Sequence, residues 1–300
     1  MKPETVFIEF DKAGAEWVIT AYMAGDAQMI RVIESGESPH VHTGHLITRV
    51  PKHLIEKEHS LIKASTDPDF IEDMRRKHLP ELFEGDYFLP RIFSIRQSGK
   101  KSNHGLNYRM GFARFALENE MPEQDAKTIW SAYRNEAYPN LQTWWKAIDN
   151  QLKIDRTLIN PLGRKQRFLE QWGPDLFMQA TAFLPQSTNA DVVNQAIIKI
   201  YNNPSKMLQT LKFKAQVHDS ILYSYVVTNW LEFARLVHYI RSELEPTLTT
   251  GGREFVIKTD MKVGYSSWGA MKPVAFGKGY EETARNLKST QRSGNEKKAA

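Results

Sequence analysis

Two aspartates stand where a scaffold commonly exposes a carboxylate. Asp11 follows the alternating run Val6, Ile8, Phe10, and Asp219 lies in the tetrapeptide Val217-His218-Asp219-Ser220 between two strand-like segments. Two carboxylates brought together repel unless a cation shares them, so such a pair points to a divalent metal. Taken singly, each is better read as a turn residue. Arg96, Lys100, His104 and Tyr108 recur every four residues. On a helix they would share one face, drifting by about 40° per step. Two cations followed by two flat rings suit a polyphosphate at one end and a stacked base at the other, while a solvated basic stripe is the plainer reading. His40, His42 and His45 in SPHVHTGH have spacing that zinc could use. No matching carboxylate or fourth histidine stands nearby, so three loop histidines that are solvated or contact phosphate are the expectation. No serine sits in a nucleophile elbow, which leaves a Ser-His-Asp triad unsupported.

The elements that must hold these groups follow from pattern. Thr5 to Phe10 reads as a strand stopping at Asp11, and Glu16 to Met23 as a helix ending at Gly25. Pro51 to Pro90 is highly charged with mixed sign and reads as an inserted surface element. Ile95 to Leu117 is helical by pattern, yet Gly99, Gly105 and Gly111 would each cost roughly 1 kcal/mol inside a helix. Pro122 opens another helix, Leu141 to Leu152 a further one, and Leu158 to Leu169 reads as a hairpin around Pro161-Leu162-Gly163. A long helix is expected from Thr188 to Tyr201, strands at Phe213 to Val217 and Ile221 to Val226, and a helix from Thr228 to Glu243. Phe255 to Val263 alternates like a closing strand, and the polar tail after Phe276 reads as mobile. Strands at both ends with helices between them give an α+β class in which sequence-distant strands share one sheet.

Composition bounds the rest. In 300 residues, 40 Lys+Arg against 35 Asp+Glu leave a net +5. Six basic and three acidic residues from Gly277 to Ala300 carry +3 of that, so Met1 to Phe276 has only +2. Overall charge is therefore weak support for nucleic-acid binding, and a binding surface must come from local arrangement. The absence of Cys excludes disulfides, thiolate zinc sites and Cys nucleophiles. With no signal-peptide core and no apolar run of about 20 residues, a soluble intracellular protein is expected.

The order of these elements resembles the palm and fingers of family A DNA polymerases, the group of bacterial DNA polymerase I and several phage replicases. FDKAGAEWVITAYMAGDAQMIRVI is similar to the family's first palm motif, SPHVHTG to its Ile-His-Thr element, and RQSGKKSNHGLNYRMG to its fingers motif. YPNLQTWW, NPLGRKQRF, FLPQSTNADVVNQAI and QVHDSI follow in family order, broken mainly by the insertion. The resemblance, which runs from about Thr5 to Trp268, implies an antiparallel palm sheet with packed helices and a mostly helical fingers subdomain. Its domain order would be palm 1–50, charged insertion 51–90, fingers 91–155, palm 156–276 and a mobile basic tail 277–300.

The same resemblance implies template-directed DNA synthesis from dNTPs. Asp11 and Asp219 would bind two Mg²⁺, with the backbone carbonyl of Lys12 as a further ligand. Arg96, Lys100 and His42 would hold the incoming phosphates, with Lys100 aiding the leaving pyrophosphate. His104 would lie against the sugar and base, Tyr108 at the templating position, and Glu16 would gate against a ribose 2′-hydroxyl. Arg164, Gln186 and His218 would contact primer–template DNA. A cytoplasmic setting, in a bacterium or a phage-infected cell, is implied, with no membrane association. Four positions depart from the pattern: His104 for Phe or Tyr, Arg109 for the Gly after the motif's Tyr, Ser220 for an acid, and Gly14 for Gln. Arg109 in place of Gly is expected to restrict movement of the fingers helix. In the family a proofreading domain and thumb precede the first palm motif, whereas Met1 stands ten residues before Asp11. A chain without a thumb, joined by a second polypeptide bearing thumb and exonuclease domains, is the expectation. A catalytically weak nucleic-acid-binding subunit is the alternative, and a metal nuclease using the same carboxylates a third.

Overall fold

The structure is a computed structural model that describes residues 3–295, with side chains to residue 291. β1 (Glu4–Lys12) alternates Val6, Ile8 and Phe10 into a core and runs past Asp11, where the sequence pattern ends it. Pairing on both flanks carries it on, since Asp11 lies opposite Ser220 on one side and Asp260 on the other. Helices α1 (Ala15–Ala24), α2 (Ala27–Ser35) and α3 (Pro39–Thr48) follow. The histidine segment is thus a helix rather than a loop: Ser38 caps it and Pro39 fills its first turn, where a missing N–H costs nothing.

The charged stretch folds into α4 (Lys52–Ile62) and α5 (Pro68–His78), which bury Leu54, Ile55, Ile62 and Ile71. α6 (Ile95–Gly105) comes next. The expected helix from Ile95 to Leu117 is broken by a tight turn at Leu106–Tyr108 and resumes as α7 (Phe112–Glu118). Gly105 and Gly111 sit at those joints, whereas Gly99 has a different reason. A Cβ there would lie 2.2 Å from the His40 carbonyl and 2.8 Å from the Gly44 nitrogen, so α3 and α6 meet backbone to backbone.

α8 (Glu123–Ala132), α9 (Asn140–Asp155) and the hairpin β2 (Thr157–Ile159)–β3 (Lys165–Arg167) match the sequence pattern closely. α10 (Pro174–Asn202) starts well before the expected Thr188 and contains Pro185. Proline forfeits one backbone hydrogen bond, but Leu176, Ala180, Val192 and Val193 are buried on either side of it, and packing outweighs the loss. β4 (Lys212–Val217), β5 (Ser220–Val227) and α11 (Trp230–Leu244) follow. The expected closing strand Phe255 to Val263 forms only in its second half, as β8 (Thr259–Gly264); Phe255 instead ends a separate hairpin of β6 (Leu248–Thr250) and β7 (Arg253–Phe255), and a short β9 (Lys272–Pro273) lies beyond.

The segment after Phe276, expected to be mobile, forms α12 (Tyr280–Asn295). Leu287 is fully buried on it and the His238 ring bonds the Thr283 hydroxyl at 2.8 Å, which ties it to α11. Residues 296–300 of that expected tail lie outside the described part.

The class is α+β, with an antiparallel sheet in the order β4-β5-β1-β8-β9. The chain divides into two compact units. One comprises the chain up to Ala15 and from Gln186 onward, and its core packs the sheet face bearing Ile8, Phe10, Tyr223 and Val263 with Phe233, Val237 and Ile240 of α11. The other, Glu16–Pro185, is mostly helical, and residues 16–50 and 156–185 fall within it.

Candidate functional site

In the sheet unit, Asp11 and Asp219 come together because β1 pairs with β5. Asp219 occupies the β4–β5 turn and His218 before it takes the left-handed conformation, φ 53°. For a residue with a Cβ that conformation costs about 1 kcal/mol, and it fixes where the Asp219 backbone stands. Ser220, standing where an acid was expected, is buried and donates its hydroxyl to the Val217 carbonyl at 3.1 Å, closing the turn.

The Asp11 carboxyl is pushed above the ordinary carboxylate range, first by burial and then by the negative field of Asp219, with Glu9 and Asp260 adding to it and Lys262 opposing. Among the described residues no three His, Asp or Glu side chains gather as a metal cluster. A pair of mutually repelling oxygen donors nevertheless fits a hard divalent cation, since Mg²⁺ is usually held by one or two carboxylates with phosphate and water completing the shell.

Two residues at this site have roles the motif order does not show. The Lys12 side chain turns inward: its ammonium donates to the Leu244 carbonyl at 2.5 Å, the Ile257 carbonyl at 2.7 Å and the Thr259 hydroxyl at 3.1 Å. Burial lowers its pKa to about 8. Asn189 of α10, also buried, donates from Nδ2 to Asp219 Oδ2 at 3.4 Å and so orients that carboxylate. A lysine after an acid at a strand end, or an asparagine within a helix, carries no periodic signal that marks such contacts. Gln186 and His218 are exposed in the same unit.

The helical unit holds the other expected residues. On α6, Arg96 is half-buried, whereas Lys100 and His104 are exposed. Lys100, Lys101, His104, Gln97 and Met110 line a cavity of about 360 Å³. Tyr108 does not continue the exposed face. The helix has ended by then, and Tyr108 is buried with its hydroxyl donating to Glu16 Oε2. Burial and the Glu16 charge push its phenol well above the ordinary range. Arg109 keeps the left-handed backbone a glycine would take there, φ 68°, and its guanidinium grips Asp149 at 2.5 and 3.0 Å.

The three histidines diverge and do not make a zinc site. His40 Nδ1 accepts from Asn103 Nδ2 at 3.2 Å; burial, then Arg96, Lys100 and His104, drop its pKa to about 4. His42 is buried with Nδ1 on Glu37 at 3.1 Å and no partner for Nε2, and His45 Nδ1 pairs with the Val50 carbonyl at 2.8 Å. Arg164 is exposed at the β2–β3 turn.

Comparison with known proteins sets these surfaces in context. Residues 93–270 match the model of DNA polymerase family A, more than half of the chain. DNA polymerase I of Borreliella burgdorferi is 22% identical over 232 residues, covering 74% of this chain and 21% of its own. The DNA polymerase of Mycobacterium phage D29 is 27% identical over 180 residues, 59% of this chain and 26% of its own. The chain thus spans between a fifth and about a quarter of these relatives. Among solved structures, the POL domain of Pol1 from M. smegmatis, in complex with DNA primer-template and dNTP, shares the fold. Its TM-score is 0.64 at 17% identity, over 90% of this chain and 41% of that one.

Proposed function

Because this chain belongs to DNA polymerase family A, we propose that it carries the palm and fingers chemistry of template-directed DNA synthesis. The observation that carries this reading is the Asp11–Asp219 pair, two carboxylates held against their mutual repulsion by a strand and a strained turn.

Asp11 and Asp219, with the Lys12 main-chain carbonyl, are the groups that would hold two Mg²⁺. Bound there, the metal would favour ionisation of a primer 3′-hydroxyl and neutralise charge on the triphosphate. Arg96, Lys100 and His42 bind the phosphates in this proposal, and the exposed Lys100 ammonium stands ready to stabilise charge on the departing pyrophosphate. His104 packs against the sugar and base. Glu16, its carboxylate fixed by the Tyr108 hydroxyl, excludes a 2′-hydroxyl sterically, while Tyr108 borders the templating position. Arg164, Gln186 and His218 contact the primer–template backbone, largely without reading sequence.

We assign residues 1–50 and 156–276 to the palm, 91–155 to the fingers and 51–90 to an insertion. The relatives are several times longer than the matched region. In this proposal a second polypeptide bearing thumb and exonuclease domains shares the grip on the duplex. Extension of a labelled primer with dNTPs and Mg²⁺ tests the reading. Wild-type protein adds nucleotides dictated by the template and Asp219→Ala does not. Binding of primer–template with no addition would support the non-catalytic binding subunit instead, and shortening of the DNA a metal nuclease.

A further inference from the structure

We propose that the 51–90 insertion braces the fingers helix α6 and that His59 within it is a positioning residue for Arg96. The inference rests on the reading of Arg96 as a phosphate contact.

The brace is a buried ion pair. Glu58 is fully buried on α4, and its Oε1 takes Arg75 of α5 at 2.6 Å while its Oε2 accepts from the Ile95 backbone N–H, the first residue of α6, at 2.7 Å. Arg75 in turn donates to the Pro90 carbonyl at 2.7 Å and the Phe93 carbonyl at 3.1 Å. One carboxylate and one guanidinium therefore fix the chain entering α6. Removing either would leave the other buried without its charge partner.

His59 is the next residue on α4. Its Nδ1 lies 3.2 Å from the hydroxyl of Ser94, the residue that caps α6, and its Nε2 lies 3.2 Å from Arg96 Nη1. A guanidinium only donates, so Nε2 must accept; Nδ1 then carries the hydrogen and donates to Ser94. A single neutral tautomer satisfies both contacts. One edge of the Arg96 fork is thus held from behind, and its remaining donors have no partner among the described contacts. A guanidinium held in this way loses less freedom when it grips a phosphate.

The test uses the full 300-residue chain. His59→Leu removes both contacts, whereas His59→Gln keeps a neutral acceptor at similar reach. His59→Leu is expected to raise the dNTP KM about 3–10-fold with kcat changed less than twofold. His59→Gln should return KM to within about twofold of wild type. Binding of inorganic tripolyphosphate by calorimetry reads the same effect without turnover, and should weaken in His59→Leu and Arg96→Ala alike. If Arg96→Ala raises KM and weakens tripolyphosphate binding but His59→Leu does neither, the positioning role is overturned while the Arg96 reading stands. If Arg96→Ala changes neither quantity, Arg96 is not a phosphate contact and both readings fall. Loss of activity in His59→Leu through kcat alone, not rescued by glutamine, would also overturn it.

Discussion

Ionised Asp11 faces Asp219 across the β1–β5 pairing, and without a cation that repulsion destabilises the fold. Asp219→Asn should therefore raise the Tm of the metal-free protein, by about 1–3 °C, while abolishing primer extension. A Tm that falls instead, read by calorimetry in chelator, would show that the two carboxylates do not oppose each other. Lys12 makes the opposite case. Its ammonium satisfies two carbonyls and a hydroxyl in a buried position, so Lys12→Met should cost about 2–4 kcal/mol in urea unfolding. The carboxylate pair was legible in the sequence because strand ends and tight turns are where such groups are displayed. Lys12 was not, since lysine at a strand end ordinarily points to water and only the three-dimensional course of Leu244 to Thr259 turns it inward. Tyr108 deceived for the opposite reason: its four-residue spacing from His104 is helical, but Gly105 ends the helix first.

At the scale of elements, α3 and α6 approach closely enough that Gly99 carries the contact. Gly99→Ala should cost about 1–3 kcal/mol as backbone is forced apart. Gly111→Ala, where nothing lies within 4 Å, should change stability by less than about 0.5 kcal/mol. Equal effects in thermal unfolding would mean the helices do not meet at Gly99. The same interface holds His40 neutral, with a folded pKa of about 4 against an ordinary 6.5. A depressed histidine pKa contributes stability that is present above pH 6.5 and is lost as pH falls toward 4. That loss is at most about 3 kcal/mol. His40→Asn should flatten the acid limb of the stability curve in that window, and an unchanged limb would place the acid sensitivity elsewhere. Periodicity gave β1 and α11 to within about two residues because each buries a regular face, whereas β4, almost wholly exposed, and β5, buried almost throughout, were bounded by the turn at His218 and Asp219 between them. It gave neither α3 nor α12. The first is rich in histidine with an internal glycine and stands on its Ser38 cap and on α6, and the second is mostly polar, with Ala284 and Leu287 facing the core.

Across the whole molecule, charge is local rather than diffuse. Residues 1–276 carry a net +2, so in the proposed function grip on a duplex would rest on a few cations such as Arg164. Three phosphate contacts would weaken binding roughly 40-fold between 50 and 200 mM salt, at a slope of about −0.9 per contact. A salt-independent affinity in a fluorescence-anisotropy titration would argue against backbone binding. The order of motifs, rather than composition, made the family legible, and the charged stretch 51–90 that interrupts it supplies its own helices and buried ion pair. The most direct test is single-turnover extension of a labelled primer on two templates that differ in the first unpaired base, at low salt with Mg²⁺ and protein in excess. The account predicts that wild-type protein adds the nucleotide complementary to each template base and that Asp11→Asn and Asp219→Asn, folded and DNA-bound, add none. Addition by either variant at the wild-type rate, or no addition by wild-type protein bound to primer–template, would contradict it.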